Sequence, residues 1–198
     1  MKKILILLLA SLAGSLGLEA APQQASDPQV EKVLVIFKTH LDIGFTDLSS
    51  KVEQRYIDYY IPKAIEVARR LREEGGDERY VWTTGAWLVD AYLRQATPEA
   101  AAELEEAIRR GDIVWNGVPY TVESESMNRA LFEGILRLSQ RLDARFGKHT
   151  SAAKMTDVPG HTRSIVPLLS EAGIGFLHVG TNPAVSVPDV PSVCRWRD

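Results

Sequence analysis

Cysteine and clustered basic charge are both scarce in this sequence. Cys194 is the only cysteine among 198 residues, so no internal disulfide can form and stability must come from packing. The net charge is −3, and lysines and arginines are dispersed among acidic residues, which argues against nucleic-acid binding. Repeats and low-complexity tracts are absent, and a composition of 45% hydrophobic and 25% charged residues indicates one globular domain.

Hydrophobic runs long enough to span a bilayer are also lacking. The apolar run at residues 4–18 is short, is interrupted by glycine and serine, follows two lysines and leads to the small residues Ala20 and Ala21. We therefore predict a signal peptide over residues 1–21 and a polar linker over 22–31. A periplasmic or secreted protein is expected, with no membrane span after signal removal. An uncleaved anchor is the alternative, whereas a lipid anchor is excluded because no cysteine follows the run.

Strands are predicted to recur from residue 32 onward. Short runs rich in β-branched and aromatic residues indicate strands at residues 33–37, 80–83, 113–116, 152–156 and 175–179. The first run, VLVIF, is hydrophobic throughout, so we expect a strand that is buried on both faces.

Helices are predicted between these strands. One covers residues 50–71 with a break at Pro62, and another runs from an N-cap at Thr97 to Gly111. The third carries an apolar stripe at Met127, Leu131, Ile135, Leu138, Leu142 and Phe146. The fourth is capped by Thr162, with Ile165, Leu168, Leu169 and Ala172 facing inward. This alternation implies right-handed parallel crossovers, hence a doubly wound sheet or a barrel.

A His-Leu-Asp-Ile-Gly-Phe motif, residues 40–45, lies just beyond the first predicted strand. Period-2 alternation places His40 and Asp42 on the same face. A buried carboxylate beside an imidazole is costly without a compensating partner, and this pair of side chains suits zinc. A His–Asp hydrogen bond that only fixes the turn is the alternative.

A second polar motif, Asp-Val-Pro-Gly-His, occupies residues 157–161 after the strand at 152–156. Strand ends of this kind form the catalytic face of parallel α/β barrels, which makes Asp157 a candidate site residue. Asp157 could instead cap the next helix, although Thr162 is better placed for that. His161 could be a ligand, a neighbour of a ligand or a solvated loop residue, and we favour the second interpretation.

Together the two motifs resemble the N-terminal domain of glycoside hydrolase family 38, the α-mannosidases. The resemblance covers residues 32–198 and implies a seven-stranded parallel (β/α) barrel of the glycoside hydrolase and deacetylase type. Five predicted strands do not close a barrel, which needs about 250 residues, so we expect one that is incomplete at its C-terminus. The implied activity is metal-dependent retaining hydrolysis of mannoside-type carbohydrates.

By the same resemblance, one zinc ion is held by His40, Asp42 and Asp157 with a further histidine, and Asp157 is also the nucleophile. The fourth ligand and the acid that protonates the leaving group are expected beyond residue 198, which would leave this chain inactive alone. Phe45 and His161 are the implied substrate-binding residues. Phe45 replaces the usual tryptophan and Pro159 the usual aromatic residue, and both departures concern mannose preference more than the chemistry.

Two other functions share parts of this pattern. A metal-dependent polysaccharide deacetylase uses a similar partial barrel but needs a His-x-x-x-His segment, and none of the four histidines has that spacing. A non-catalytic carbohydrate-binding domain would bind a metal or a sugar without turnover. The acids Glu123 and Glu125, after the third predicted strand, either bind sugar hydroxyls or cap the following helix.

The export prediction can be tested directly. The protein produced in a host with a Sec pathway is expected outside the cytoplasm, with cleavage near Ala20 or Ala21, because a basic segment precedes a short apolar core. Mass spectrometry of the mature protein measures this. A mature chain that still begins at Met1 would contradict it.

Overall fold

A computed structural model describes residues 31–158, 160–182, 184–186 and 189–197. The predicted signal peptide and the linker up to residue 30 lie outside these residues. The chain divides into a unit that ends at Val35 and a unit that begins at Ile36, and the elements below belong to the second. Within the described part of the chain, no helix is both long and apolar enough to cross a membrane.

In the described residues, five short strands form two parallel sheets. The strands are β1 (Phe37–Lys38), β2 (Trp82–Gly85), β3 (Ile113–Asn116), β4 (Ala152–Thr156) and β5 (Phe176–Gly180). The first sheet has the order β1-β2-β3 and the second contains β4 and β5. All of these pairs are parallel, so the predicted α/β alternation with parallel crossovers is confirmed.

Helices occupy the connections between the strands. They are α1 (Ser49–Arg55), a π-helical turn (Tyr56–Tyr60), α2 (Ile61–Glu73), α3 (Ala86–Gln95), α4 (Pro98–Arg110), a 3-10 turn (Ser124–Ser126), α5 (Arg129–Phe146) and α6 (Ile165–Glu171). The predicted break near Pro62 is confirmed only in part: a π-helical turn replaces the α-helix just before Pro62, but the segment stays helical from Ser49 to Glu73. Helix α3 was not predicted from the sequence.

The expected seven-stranded barrel, complete or partial, is wrong. The strands of the described residues form two sheets of three and two strands, with no closed barrel. A hydrogen bond from Gly117 N–H to the Ala152 carbonyl (2.9 Å) joins the carboxyl end of β3 to the amino end of β4. In the described residues this bond does not continue into a ladder between β3 and β4.

The first strand is also shorter and more exposed than predicted. Only Phe37 and Lys38 pair with β2, whereas residues 33–36 are 70–74% exposed. Among the described strands β1 lies at the edge of its sheet and pairs with β2 alone. The prediction of a strand buried on both faces, which rested on its hydrophobic residues, is therefore wrong. The predictions for β3 and β4 are confirmed, and β2 and β5 are displaced by two residues and one residue from theirs.

Two hydrophobic clusters lie between the sheets and the helices. The first packs α2, α3 and α4 on β2 and β3, and the second packs α5 and α6 on β4. Helix α5 contributes Leu142 to the first cluster and Phe132 to the second. Its predicted stripe is partly wrong, because Leu131 is 52% exposed while Phe132 and Leu136 are buried.

Both predicted ends of α4 agree with the sequence, whereas the predicted cap of α6 does not. Thr97 Oγ1 accepts from Ala100 N–H at the start of α4, and Gly111 ends that helix with φ 83°. Gly147 likewise ends α5. Thr162 does not cap α6, which begins after Ser164.

Asp112 fixes the amino end of β3. Its side chain is 2% exposed and accepts hydrogen bonds from Arg72 Nε (2.8 Å) and Arg110 Nε (3.0 Å). Burial alone would raise the pKa of this carboxyl, but the two arginines outweigh it and hold the pKa below the ordinary value. The backbone of Asp112 also joins β2 to β3 by accepting from Trp82 N–H (2.8 Å).

Asp112→Asn is expected to lower the free energy of unfolding by about 2–3 kcal/mol, because both arginines lose a charged acceptor. Since the folded pKa is depressed, this contribution is present above the ordinary pKa of about 4 and is lost as the pH falls through the folded value. Urea denaturation at several pH values measures it. Glu106→Gln, at an exposed ion pair, is the control and should change stability by less than about 0.5 kcal/mol. An equally small effect of Asp112→Asn would contradict the assignment.

Candidate functional site

Polar side chains collect at the carboxyl ends of the parallel strands. His40 and Asp42 follow β1, and Asp157 follows β4 directly. The three residues come from different sheets, yet one potential ligand atom from each lies within 4.8 Å of those of the other two. Ligand sites in parallel α/β proteins form at this end of the strands.

His40 lies between the two carboxylates. Its Nε2 atom is 3.1 Å from Asp42 Oδ1 and 3.2 Å from Asp157 Oδ2, and the three side chains are 37–40% exposed. One imidazole nitrogen and two carboxylate oxygens form a donor set that zinc accepts, with bonds of about 2.0–2.2 Å. Adjacent donors around a tetrahedral zinc ion would be separated by about 3.3 Å, so the two distances from His40 fit such a site.

Asp157 has an unusual backbone conformation. Its φ is 71°, the only positive value among the described non-glycine residues. Its N–H donates to the Gly180 carbonyl (2.8 Å), and its Oδ1 accepts from Asn182 Nδ2 (2.5 Å). A left-handed aspartate costs about 1–3 kcal/mol and persists where its surroundings fix it, often at a functional site.

His161 is held by Ser124 from the 3-10 turn. Ser124 is 1% exposed, and its Oγ lies 3.3 Å from His161 Nδ1 and accepts from Thr162 N–H (3.1 Å). If the hydroxyl donates to Nδ1, the ring proton of a neutral His161 lies on Nε2; if Nδ1–H donates to the hydroxyl, the ring proton lies on Nδ1. Burial lowers the pKa of His161, opposed by Glu125, and its buried Nε2 has no hydrogen-bond partner among the described residues.

Tyr56 connects the π-helical turn to the candidate ligands. Its hydroxyl donates to the His40 carbonyl (3.2 Å), and its pKa is raised by burial, by Tyr60 and by Asp42. A cavity of about 350 Å³ adjoins this contact. We call this cavity the aromatic pocket. Its wall includes His40, Tyr56, Tyr60, Tyr80 and Trp82.

Lysines supply positive charge close to His40. Lys154 lines a second, smaller cavity together with His40 and Asn116. Its Nζ donates to Thr156 Oγ1 (2.8 Å), and burial together with the charge of Lys38 lowers its pKa to about 8. Its protonation is therefore more sensitive to a ligand than that of a surface lysine.

The other predicted residues are arranged differently. Phe45 lies on the turn after β1 and is 84% exposed, outside the His40 and Asp157 contacts. Asn128 caps α5 by accepting from Leu131 N–H, so the capping interpretation of Glu123 and Glu125 is wrong. Asp157 likewise caps no helix, since α6 begins eight residues later.

Three contributing residues were missed from the sequence, namely Tyr56, Ser124 and Asn182. Tyr56 falls within the helix predicted at residues 50–71, and Ser124 lies between the two glutamates for which a role was predicted. Asn182 belongs to the proline-rich segment beyond the last predicted strand. Its position just beyond a strand end was the available signal.

The fold and the site define an α/β protein with a three-residue His, Asp, Asp cluster at the carboxyl ends of its parallel strands. A family model described as "Glycosyl hydrolases family 38 N-terminal domain" matches residues 31–181. The chain therefore belongs to glycosyl hydrolase family 38, as the motifs had indicated, and its family carries out glycosidase chemistry. A search of curated proteins found no match.

We expect the Ser124 hydroxyl to donate to His161 Nδ1, which would favour one tautomer of the histidine. In nitrogen-15 NMR spectra near neutral pH, His161 is expected as the neutral Nε2–H form, and it should protonate only below the ordinary histidine pKa of about 6.5. Ser124→Ala should remove the preference for this tautomer. Ser126→Ala, on the exposed side of the same turn, is the matched control. A wild-type spectrum dominated by the Nδ1–H form would contradict the hydrogen-bond assignment.

Proposed function

We propose that this protein is a zinc-dependent retaining glycosidase of the α-mannosidase type that acts outside the cytoplasm. The observation that carries the proposal is the approach of His40, Asp42 and Asp157 in a chain of family 38. Export is supported by the apolar N-terminal run, and this part of the proposal does not depend on the catalytic chemistry.

His40, Asp42 and Asp157 would hold the metal. The nitrogen and oxygen donors match zinc, and the two distances from His40 fit the separation of neighbouring donors around a zinc ion. Bound zinc would supply positive charge that keeps Asp157 ionised and a coordination position for sugar hydroxyls. The hydrogen bond from Tyr56 to the His40 carbonyl would restrict the movement of the histidine, as supporting contacts do around metal ligands.

Asp157 would act as the nucleophile. One of its carboxylate oxygens would bond to the anomeric carbon of the sugar while the bond to the leaving-group oxygen breaks. A separate carboxylic acid, which we do not assign among the described residues, would protonate that oxygen. Water would then hydrolyse the glycosyl-enzyme and return Asp157 to its carboxylate form.

The aromatic pocket favours a carbohydrate substrate. Tyr56, Tyr60 and Tyr80 provide flat apolar faces for a sugar ring next to His40, and ligand pockets commonly combine such faces with a few polar groups. Phe45 is exposed on the neighbouring turn and could cover a bound sugar. An α-mannoside is the proposed substrate because of the family resemblance, although Phe45 gives a smaller surface than the usual tryptophan.

Asp157→Asn tests the nucleophile in the intact protein, by which we mean this chain together with the segment that supplies the acid and the fourth metal ligand. The variant keeps the side-chain size and one oxygen donor but loses the negative charge. We expect turnover of an aryl α-mannoside to fall by about a thousandfold or more, with some zinc and substrate binding retained. Steady-state kinetics and zinc titration measure the two effects.

Asp47→Asn is the matched control. Asp47 also follows β1 in the chain, but it pairs with Lys51 instead of His40. It should leave turnover within about twofold of wild type, as surface pairs contribute little. If a correctly folded Asp157→Asn variant turned over within a few-fold of wild type, Asp157 would be structural. An intact wild-type protein without bound zinc would contradict the metal assignment.

A further inference from the structure

We propose that Asn182 is a positioning residue that assigns different roles to the two carboxylate oxygens of Asp157. Asn182 reserves Oδ1 for attack on the sugar and leaves Oδ2 facing His40 and the metal. This inference rests on the proposed function, because it concerns the nucleophile of that reaction.

Strand register brings the two residues together. Thr156 at the end of β4 is paired with Gly180 at the end of β5. Asp157 is the next residue after β4, and its N–H extends the pairing by donating to the Gly180 carbonyl. Asn182, two residues beyond β5, therefore lies beside Asp157 and donates from Nδ2 to Oδ1 (2.5 Å).

The orientation of the Asn182 amide follows from a second contact. Ala184 N–H donates to Asn182 Oδ1 (2.8 Å), so the side-chain carbonyl is already used as an acceptor. The amide NH₂ must then point toward Asp157, since exchanging the two ends would place an acceptor against a carboxylate and a donor against an N–H.

The Asp157 carboxylate is thereby held from both sides. Oδ1 contacts Asn182, and Oδ2 lies 3.2 Å from His40 Nε2. Rotation of the carboxylate would break both contacts. A metal held with His40 would therefore meet one oxygen, Oδ2, rather than both.

Oδ1 then has a lone pair available for the reaction. It would form the bond to the anomeric carbon as the glycosidic bond breaks, with the electron pair passing to the leaving oxygen, which takes its proton from a carboxylic acid. The hydrogen bond from Asn182 would keep Oδ1 in one position throughout. Fixed placement of a reacting atom raises the rate more than it changes substrate affinity.

Asn182→Ser removes the hydrogen-bond donor to Asp157 but keeps an acceptor for Ala184 N–H. Serine keeps a side-chain oxygen that can accept from Ala184 N–H, but its hydroxyl is too short to reach Asp157. In the intact protein, kcat for an aryl α-mannoside should fall about tenfold to a hundredfold, while KM stays within about threefold. Asn182→Ala, which also loses the turn contact, should lower kcat by a similar factor.

Replacing zinc with cobalt gives a spectroscopic test of whether Asp157 binds the metal through one oxygen or both. If Asn182→Ser frees Asp157 to bind through both oxygens, the coordination number rises and the visible absorption of the cobalt protein weakens. A variant with wild-type kcat and an unchanged cobalt spectrum would overturn the proposal. Wild-type kcat in Asn182→Ser but not in Asn182→Ala would assign the residue to the turn alone, which also overturns it.

The contact itself can be tested without metal or substrate. In NMR spectra of the metal-free protein, an Asn182 side-chain amide proton should exchange slowly with water and shift in Asp157→Ala. A rapidly exchanging amide that is unaffected by Asp157→Ala would overturn the inference. A wild-type protein that hydrolyses no glycoside would instead contradict the proposed function, with the amide spectrum still deciding the role of Asn182.

Discussion

Packing of α5 against both sheets is the constraint on which the candidate site depends. Leu142 enters the cluster of the first sheet, and Phe132, Ile135 and Leu136 enter that of the second. Full burial of side chains of this size stabilises a protein by about 1.5–3 kcal/mol each. Asp143, on the same helix, accepts from Trp115 Nε1 in β3 and from Thr150 just before β4. The helix thus holds together two sheets that share no ladder.

The site lies at the carboxyl ends of strands from both sheets. β1 provides His40 and Asp42, β4 provides Asp157, and the segment after β5 provides Asn182. Parallel strands direct their carboxyl ends to one edge, so residues far apart in sequence meet there without any one segment holding all of them. The strained conformation of Asp157 is maintained by bonds to the neighbouring strand and to Asn182.

The acidic residues at the two ends of the strands differ in burial and in their ion-pair partners. At the amino end of β3, Asp112 is buried and compensated by two arginines, which is a structural arrangement. At the carboxyl ends, Asp42 and Asp157 remain partly exposed and, among the described residues, share His40 as their ion-pair partner. Two carboxylates with one histidine retain negative charge available to a cation, whereas Asp112 with its arginines does not.

The sequence alone was sufficient for features that depend on neighbouring residues. The limits of β3 and β4, the helix from Pro98 to Arg110 and its threonine cap follow from side-chain type and chain geometry within a few residues. The two motifs that indicated the family are likewise contiguous stretches, and family membership was correct.

The tertiary structure decided what depends on contacts between distant segments. Whether β1 is buried depends on its neighbours in the sheet, and which face of α5 is buried depends on two sheets at once, so neither followed from hydrophobicity. The division of the strands into two sheets depends on the offset between β3 and β4. Ser124 and Asn182 lie 37 residues before His161 and 25 residues after Asp157 in the chain. Their roles arise only when folding brings a hydroxyl and an amide within hydrogen-bonding distance, a relation that no local pattern encodes.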